Sequence, residues 1–326
     1  PVLAELKMNF LMNCYLSFFE PIPGFQASLP WQYPNHLERP LSDELKAQYS
    51  AVFKKAREYG IEFCFDVHPL YHAPRPLDLA SESDYELFAS HYLWAQSEGV
   101  KWFGLTIDDV GWGKNGPEAG ARSHLRLANY LLAKLREKDP EAQLIFCPAP
   151  YWGDGTLPDD RAYLETIAAE MHPDIYVFWT CEKVVGTEIT KKAAESYKSI
   201  VKHRLFIWEN YPNNNAMASL NLGPITGRAP ELSQIADGYM CNAHWPQHQA
   251  NRIGLATCAD YAWNPGAYDP GRSIGQAILH FAETDEQRQV LKELVEQYPG
   301  KLINGTCNAN FNPVIARLEA RLKRSK

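Results

Sequence analysis

No hydrophobic stretch of the chain approaches the roughly 20 residues needed to cross a bilayer, so a membrane-inserted helix is not expected. The first residues, Pro-Val-Leu-Ala-Glu-Leu-Lys, lack both the basic start and the apolar run of a secretory signal. That predicts a soluble chain with no visible leader and assigns no compartment. Positive charge is in short supply: 32 Lys and Arg against 39 Asp and Glu give a net charge of −7. This sign argues against nucleic acid and anionic membrane surfaces as partners. The 7 cysteines, at 14, 64, 147, 181, 241, 258 and 307, contain no Cys-x-x-Cys pair, and most sit in apolar runs. They are expected to be free buried thiols, not a disulfide framework. A Gly-x-Ser-x-Gly elbow is absent, which removes the usual serine-nucleophile arrangement. So is a glycine-rich phosphate loop after an early strand, which counts against an open dinucleotide-binding sheet.

What is present is the composition of an ordinary globular enzyme, 45% apolar and 22% charged. Short β-rich runs near 9–15, 61–67, 101–107, 143–147, 174–179, 204–208 and 237–241 alternate with helix-like stretches near 42–58, 82–98, 120–138, 160–171 and 189–201. Such alternation specifies βα units and a parallel sheet. The expected fold class is α/β, a (β/α)8 TIM-like barrel whose first strand is missing from this chain. From about 285 the pattern changes to two helical runs, 285–298 and 311–324, broken by Pro299-Gly300. The expected division is therefore a catalytic barrel over 1–284 and a helical extension over 285–326.

The most informative segment is Lys101-Trp-Phe-Gly-Leu-Thr-Ile-Asp108-Asp109-Val110, an apolar run that ends in two adjacent carboxylates. In a (β/α) barrel the C-terminal ends of the strands carry the chemistry. Two neighbouring acids repel, which pushes their pKa values apart and leaves one a proton donor beside one anion. Acid/base catalysis is the function class this favours.

Other strand ends deliver polar and aromatic groups: Cys147-Pro-Ala-Pro-Tyr151, Phe178-Trp179-Thr180, Trp208-Glu209-Asn210 and Cys241-Asn242. Amides that donate and accept, beside indole faces that cover a ring, are the lining expected of a carbohydrate pocket. A metal is not expected. His68 and His72, like His244 and His248, stand four apart, but Pro69 and Pro246 interrupt a helical ligand face. No cofactor is implied.

Six blocks taken in order resemble the catalytic domain of the family 84 glycoside hydrolases, the O-GlcNAcase and bacterial β-N-acetylglucosaminidase family sometimes called hyaluronidase-like. They are Leu105-Thr-Ile-Asp-Asp-Val110, Phe146-Cys-Pro-Ala-Pro-Tyr151, Phe178-Trp-Thr-Cys-Glu-Lys-Val-Val185, Ile207-Trp-Glu-Asn-Tyr-Pro212, Leu222-Gly-Pro-Ile-Thr-Gly-Arg228 and Ala259-Asp-Tyr-Ala-Trp-Asn-Pro265. The resemblance implies a retaining exo-β-N-acetylhexosaminidase acting on N-acetylhexosamine-containing glycans, in which the substrate's own acetamide is the nucleophile. By it Asp108 would orient the acetamide and Asp109 would be the general acid/base. Tyr151 would hydrogen-bond the oxazoline intermediate, and Cys147 and Trp208 would wall the acetamide pocket. Thr180 and Val184 would form the rim, and Asn210 and Asn242 would hold the acetamide and ring hydroxyls.

The chain departs from the pattern in three places. It lacks the Gly-Phe-Tyr-Gly strand, it carries Tyr15-Leu-Ser-Phe-Phe-Glu-Pro21 where a sugar-binding Lys is usual, and it has Asn215 where a carboxylate grips the sugar hydroxyls. The competing expectation is a glycan-binding relative with weak or no activity. A conventional nucleophile at Glu209 is disfavoured, because alternation along the strand turns it away from Trp208 and Asn210.

Overall fold

The computed structural model of the chain describes residues 1–13, 16–17, 41–70, 76–212, 221–243, 248–299, 320 and 323. The strands are β1 (Phe10–Met12), β2 (Leu16–Ser17), β3 (Glu62–His68), β4 (Trp102–Thr106), β5 (Gln143–Cys147), β6 (Tyr176–Trp179), β7 (Leu205–Glu209) and β8 (Gly238–Cys241). Their order in the sheet is β1-β3-β4-β5-β6-β7-β8, with β2 also beside β3. From β1 to β6 the neighbours pair parallel. Helices 43–58, 82–97, 117–136, 158–170 and 191–201 occupy the crossovers, the alternation of a (β/α) barrel.

Local signals set these boundaries. Ser42 and Ser81 cap their helices by accepting from the backbone N–H of Leu45 and Asp84. Pro117 and Pro158 occupy the first helical position, where a missing N–H costs nothing. Gly99, at φ +90°, ends the helix that leads into β4.

The chain divides into two compact units, Pro1–Trp179 with Glu195–Phe206, and Thr180–Ala194 with Ile207–Lys326. In the first unit Phe63 and Phe65 pack against Tyr49 and Phe53 of helix 43–58. On the opposite face of the sheet, Phe10, Trp102, Tyr176 and Phe206 from the N-terminal ends of four strands form an aromatic layer, with ring centroids 5.1 to 6.4 Å apart. This layer fills the floor and leaves the C-terminal strand ends to polar side chains.

In the second unit helices 248–263, 270–281 and 285–297 pack together around Leu222, Ile253, Ala277, Ile278, Val295 and Tyr298. Helix 248–263 was not foreseen from the pattern, because its apolar residues are small or scattered and form no clean stripe. Helix 285–297, expected over 285–298, begins in a reciprocal Thr284–Gln287 capping box. The expected run 311–324 lies outside the described residues except for Ala320 and Lys323. No helix among the described residues is long and apolar enough to cross a membrane.

Candidate active site

Strand β4 stops at Thr106, and the two carboxylates follow in a turn that separates their environments. Asp108 is only 5% exposed, whereas Asp109 is exposed. The separation comes from the backbone, since Asp109 adopts φ +56°, a left-handed conformation that few non-glycine residues adopt and that Asn and Asp tolerate better than most. Strain of this kind is kept where a side chain must be aimed. Here it presents Asp109 to the phenol of Tyr151, whose Oη donates to Oδ1 at 2.9 Å. Burial, followed by that bond, raises the Tyr151 pKa and keeps the phenol protonated.

Asp108 is held from the strand beside it. His68, the last residue of β3, sets Nε2 2.7 Å from the Asp108 backbone oxygen and 3.7 Å from its Oδ1. Burial depresses the imidazole pKa to about 4, so the ring is neutral at neutral pH. A carbonyl can only accept, which puts the proton on Nε2, and Nδ1 then accepts from the Leu70 N–H at 3.4 Å.

One layer deeper lies Asp66, two residues before His68 on the same face of β3 and completely buried. Its backbone is clamped by Asn13, which accepts from the Asp66 N–H at 2.9 Å and donates to its carbonyl at 2.7 Å. Thr106 Oγ1 donates to its Oδ2 at 3.2 Å. The facing residue in register on β4 is Gly104. A Cβ there would stand 2.5 Å from Asp66 Oδ1, so only glycine at this strand position leaves room for the carboxylate.

Strand β5 ends in Cys147, opposite Thr106 in register. It is a buried thiol whose pKa is pushed up by burial and then by the charge of Asp108. Buried and protonated, it is not a nucleophile. The loop that follows and carries Tyr151 is pinned twice. Trp179 Nε1 donates to the Gly153 carbonyl at 2.8 Å, and Tyr197 Oη donates to that of Pro150 at 3.0 Å. The two rings stack with centroids 5.4 Å apart.

In the second unit Asn210, just past β7, is the hub. Its Oδ1 accepts from Trp208 Nε1 at 3.1 Å and from Asn242 Nδ2 at 2.9 Å, while its own Nδ2 donates to the Val184 carbonyl at 2.7 Å. Four of the expected site residues are thus joined in one network. Thr180 is buried and bonds within its own turn, to the Lys183 carbonyl at 3.0 Å. Val184 is 41% exposed, as suits a rim. Asn215 lies outside the described residues. Glu209 faces the other way, and both its oxygens accept from Arg228 at 2.7 Å, with Tyr239 Oη adding a bond at 3.0 Å. A carboxylate so fully engaged is no nucleophile.

Comparison with known proteins now adds to this geometry. The family model described as beta-N-acetylglucosaminidase matches residues 35–296. The chain belongs to that family. Protein O-GlcNAcase of Mus musculus and that of Rattus norvegicus are each 28% identical to it over 260 residues, which is 77% of this chain and 26% of theirs. The chain therefore spans about a quarter of the length of these curated relatives. An O-GlcNAc hydrolase from Thermobaculum terrenum, solved as a mutant, shares the (β/α)-barrel fold, with a TM-score of 0.80 at 22% identity over 99% of this chain and 69% of that one. Family membership and the expected barrel fold are thereby established.

Sequence reasoning overlooked Asn13, Asp66, Thr106 and the role of His68. The signal was present in Glu62-Phe-Cys-Phe-Asp-Val-His68, since a strand buried on both faces should read as continuously apolar, yet polar residues fall at alternate positions. Among the described residues no group of three His, Cys, Asp or Glu is placed to hold a metal. His72 and His244 lie outside them. Cys64, Cys147, Cys181, Cys241 and Cys258 are free thiols.

Proposed function

We propose that this chain is a retaining exo-β-N-acetylhexosaminidase that cleaves N-acetylglucosaminides by substrate assistance through an oxazoline. The observation that carries the proposal is the division of labour at the end of β4, one carboxylate buried and one exposed beside a phenol. Two acids in unlike environments are suited to unlike roles. Adjacent residues on one strand end would address the sugar from one side, unlike the facing carboxylates of a conventional retaining enzyme. Glu209, the alternative nucleophile, is occupied by Arg228 and Tyr239.

In the first step the acetamide oxygen bonds to the anomeric carbon as the glycosidic C–O bond breaks. Asp109 gives its proton to the departing oxygen. Asp108 takes the hydrogen bond of the acetamide N–H and stabilises the positive charge that develops there. In the second step water attacks the same carbon, Asp109 accepts its proton, the oxazoline C–O bond opens, and the acetamide is restored with the configuration retained. Tyr151 steadies the intermediate. The family resemblance assigns Cys147 and Trp208 to the wall around the methyl group, Thr180 and Val184 to the rim, and Asn210 and Asn242 to the acetamide and hydroxyls. By the same resemblance Asn215 stands where a carboxylate is usual, which implies either a loss of about 1–3 kcal/mol in sugar binding or a different sugar ring.

The test is hydrolysis of nitrophenyl β-GlcNAc, β-GalNAc and β-glucoside. Cleavage confined to the acetamido sugars is the expected result. Cleavage of the glucoside at a comparable rate contradicts substrate assistance, and binding of GlcNAc without cleavage of any of the three replaces the proposal with the glycan-binding alternative.

A further inference from the structure

Beneath the pair at the end of β4 lies a third carboxylate that this scheme does not use. Asp66 has no solvent exposure, fills the notch left by the missing side chain of Gly104, and receives one side-chain hydrogen bond, from Thr106. Its Oδ1 has no hydrogen-bond partner among the described residues. A buried carboxylate anion with two neutral donors, the Thr106 hydroxyl and the Val67 N–H, and an empty second oxygen is under-satisfied, whereas a carboxylic acid in the same niche forgoes much less.

The neighbours point the same way. On its own face of the sheet stand Asp108 beyond β4 and Cys147 at the end of β5, with Cys64 and His68 on its own strand, while Tyr49 and Tyr92 pack against Phe65 on the opposite face and couple to Asp66 only at longer range. None is a lysine or arginine, and His68 is uncharged.

We propose that Asp66 is a positioning residue that works as an uncharged acid, leaving Asp108 as the ionised carboxylate that meets the acetamide. Two carboxyl groups in one buried niche do not both ionise, and the deeper one keeps the proton. This is consistent with a pKa for Asp66 raised well above the ordinary carboxylate range by burial and then by the charge of Asp108. The inference rests on the reading of Asp108 as the acetamide-orienting group.

It carries a sign that a purely structural role does not. A raised pKa in the folded state means that the native protein keeps a proton which the unfolded chain releases above about pH 4. The stability contributed by that proton is fully present below this pH and is lost as pH rises toward the folded-state pKa.

The experiment is urea unfolding of wild type, Asp66→Asn and Asp66→Ala between pH 4 and 8.5, with kcat and KM measured on nitrophenyl β-GlcNAc. Relative to Asp66→Asn, the wild type should lose about tenfold in its folding equilibrium constant per pH unit above pH 5. Asp66→Asn should then be the more stable protein at pH 8. Asp66→Ala should lower kcat about tenfold with KM little changed, as loss of positioning does, and Asn should restore most of it. A stability difference between wild type and Asp66→Asn that does not vary with pH overturns the inference, as does full kcat in Asp66→Ala. A wild type that shows the pH linkage but cleaves no acetamido glycoside still supports the uncharged Asp66 and overturns the hydrolase reading instead.

Discussion

Asp109→Asn and Asp108→Asn should each reduce turnover of a β-N-acetylglucosaminide by roughly 10²- to 10⁴-fold, and they should do so in distinguishable ways. Asp109 is exposed, sits at the mouth of a turn, and is bonded to Tyr151. Its task is to protonate the leaving oxygen. A nitrophenolate leaves almost unaided, so Asp109→Asn should harm a methyl glycoside far more than a nitrophenyl one in the cyclisation step. Asp108 is buried, with its backbone held by His68. Its task is to stabilise charge on the acetamide, which arises whatever the leaving group. Asp108→Asn should therefore depress both substrates by about the same factor. Steady-state kcat/KM for the two glycosides decides the matter, and equal losses from Asp109→Asn on both would refute its assignment as the acid.

The second large effect is structural. Arg228→Met should cost about 3–5 kcal/mol of stability, because it leaves the Glu209 carboxylate buried with, among the described residues, the Tyr239 hydroxyl to answer it. The pair is 1% and 2% exposed, and the guanidinium forks onto both carboxylate oxygens. Burial works against the charge on Arg228, and Glu209, by its charge and its hydrogen bonds, more than offsets this and holds the guanidinium protonated. The same guanidinium donates to the carbonyls of Gly186, Thr187 and Thr226, tying 186–189 to 226–228. Glu209 immediately precedes Asn210, so the ion pair also sets the position of the hub that holds Trp208, Asn242 and Val184. Urea midpoints at pH 7 measure the loss. An apolar double replacement, Glu209→Leu with Arg228→Met, should recover a substantial part of it, since no buried charge is then stranded. A single substitution costing under about 1 kcal/mol would mean that the pair is not sealed from water.

Much of this was legible in the chain itself, and for physical reasons. Seven strands and the five crossover helices could be read to within three residues because each is an apolar or amphipathic run, whereas the two-residue strand β2 is too short to carry a pattern. The Asp108–Asp109 pair was visible because two charges end an apolar strand. That the two acids differ was expected, but which is buried and which exposed depends on the backbone angle at Asp109 and on how deep the preceding turn lies. Asp66 escaped notice for a related cause. Its meaning depends on the absence of a side chain at Gly104, 38 positions along the sequence and opposite it only in register. Arg228 and Glu209 are separated by a loop whose path no periodicity records, although the resemblance placed each within a block. Helix 248–263 lacked a stripe to announce it.

The measurement that bears most directly on the central claim is the rate on a series of nitrophenyl 2-acetamido glucosides carrying zero, one, two and three fluorines on the acetyl methyl. Each fluorine withdraws electrons from the carbonyl oxygen and weakens it as a nucleophile without altering the leaving group. If the acetamide attacks the anomeric carbon while Asp108 supports it, kcat should fall steeply and steadily along the series. A rate indifferent to fluorination would mean that the attacking atom belongs to the protein or to water, and the substrate-assisted account would be wrong.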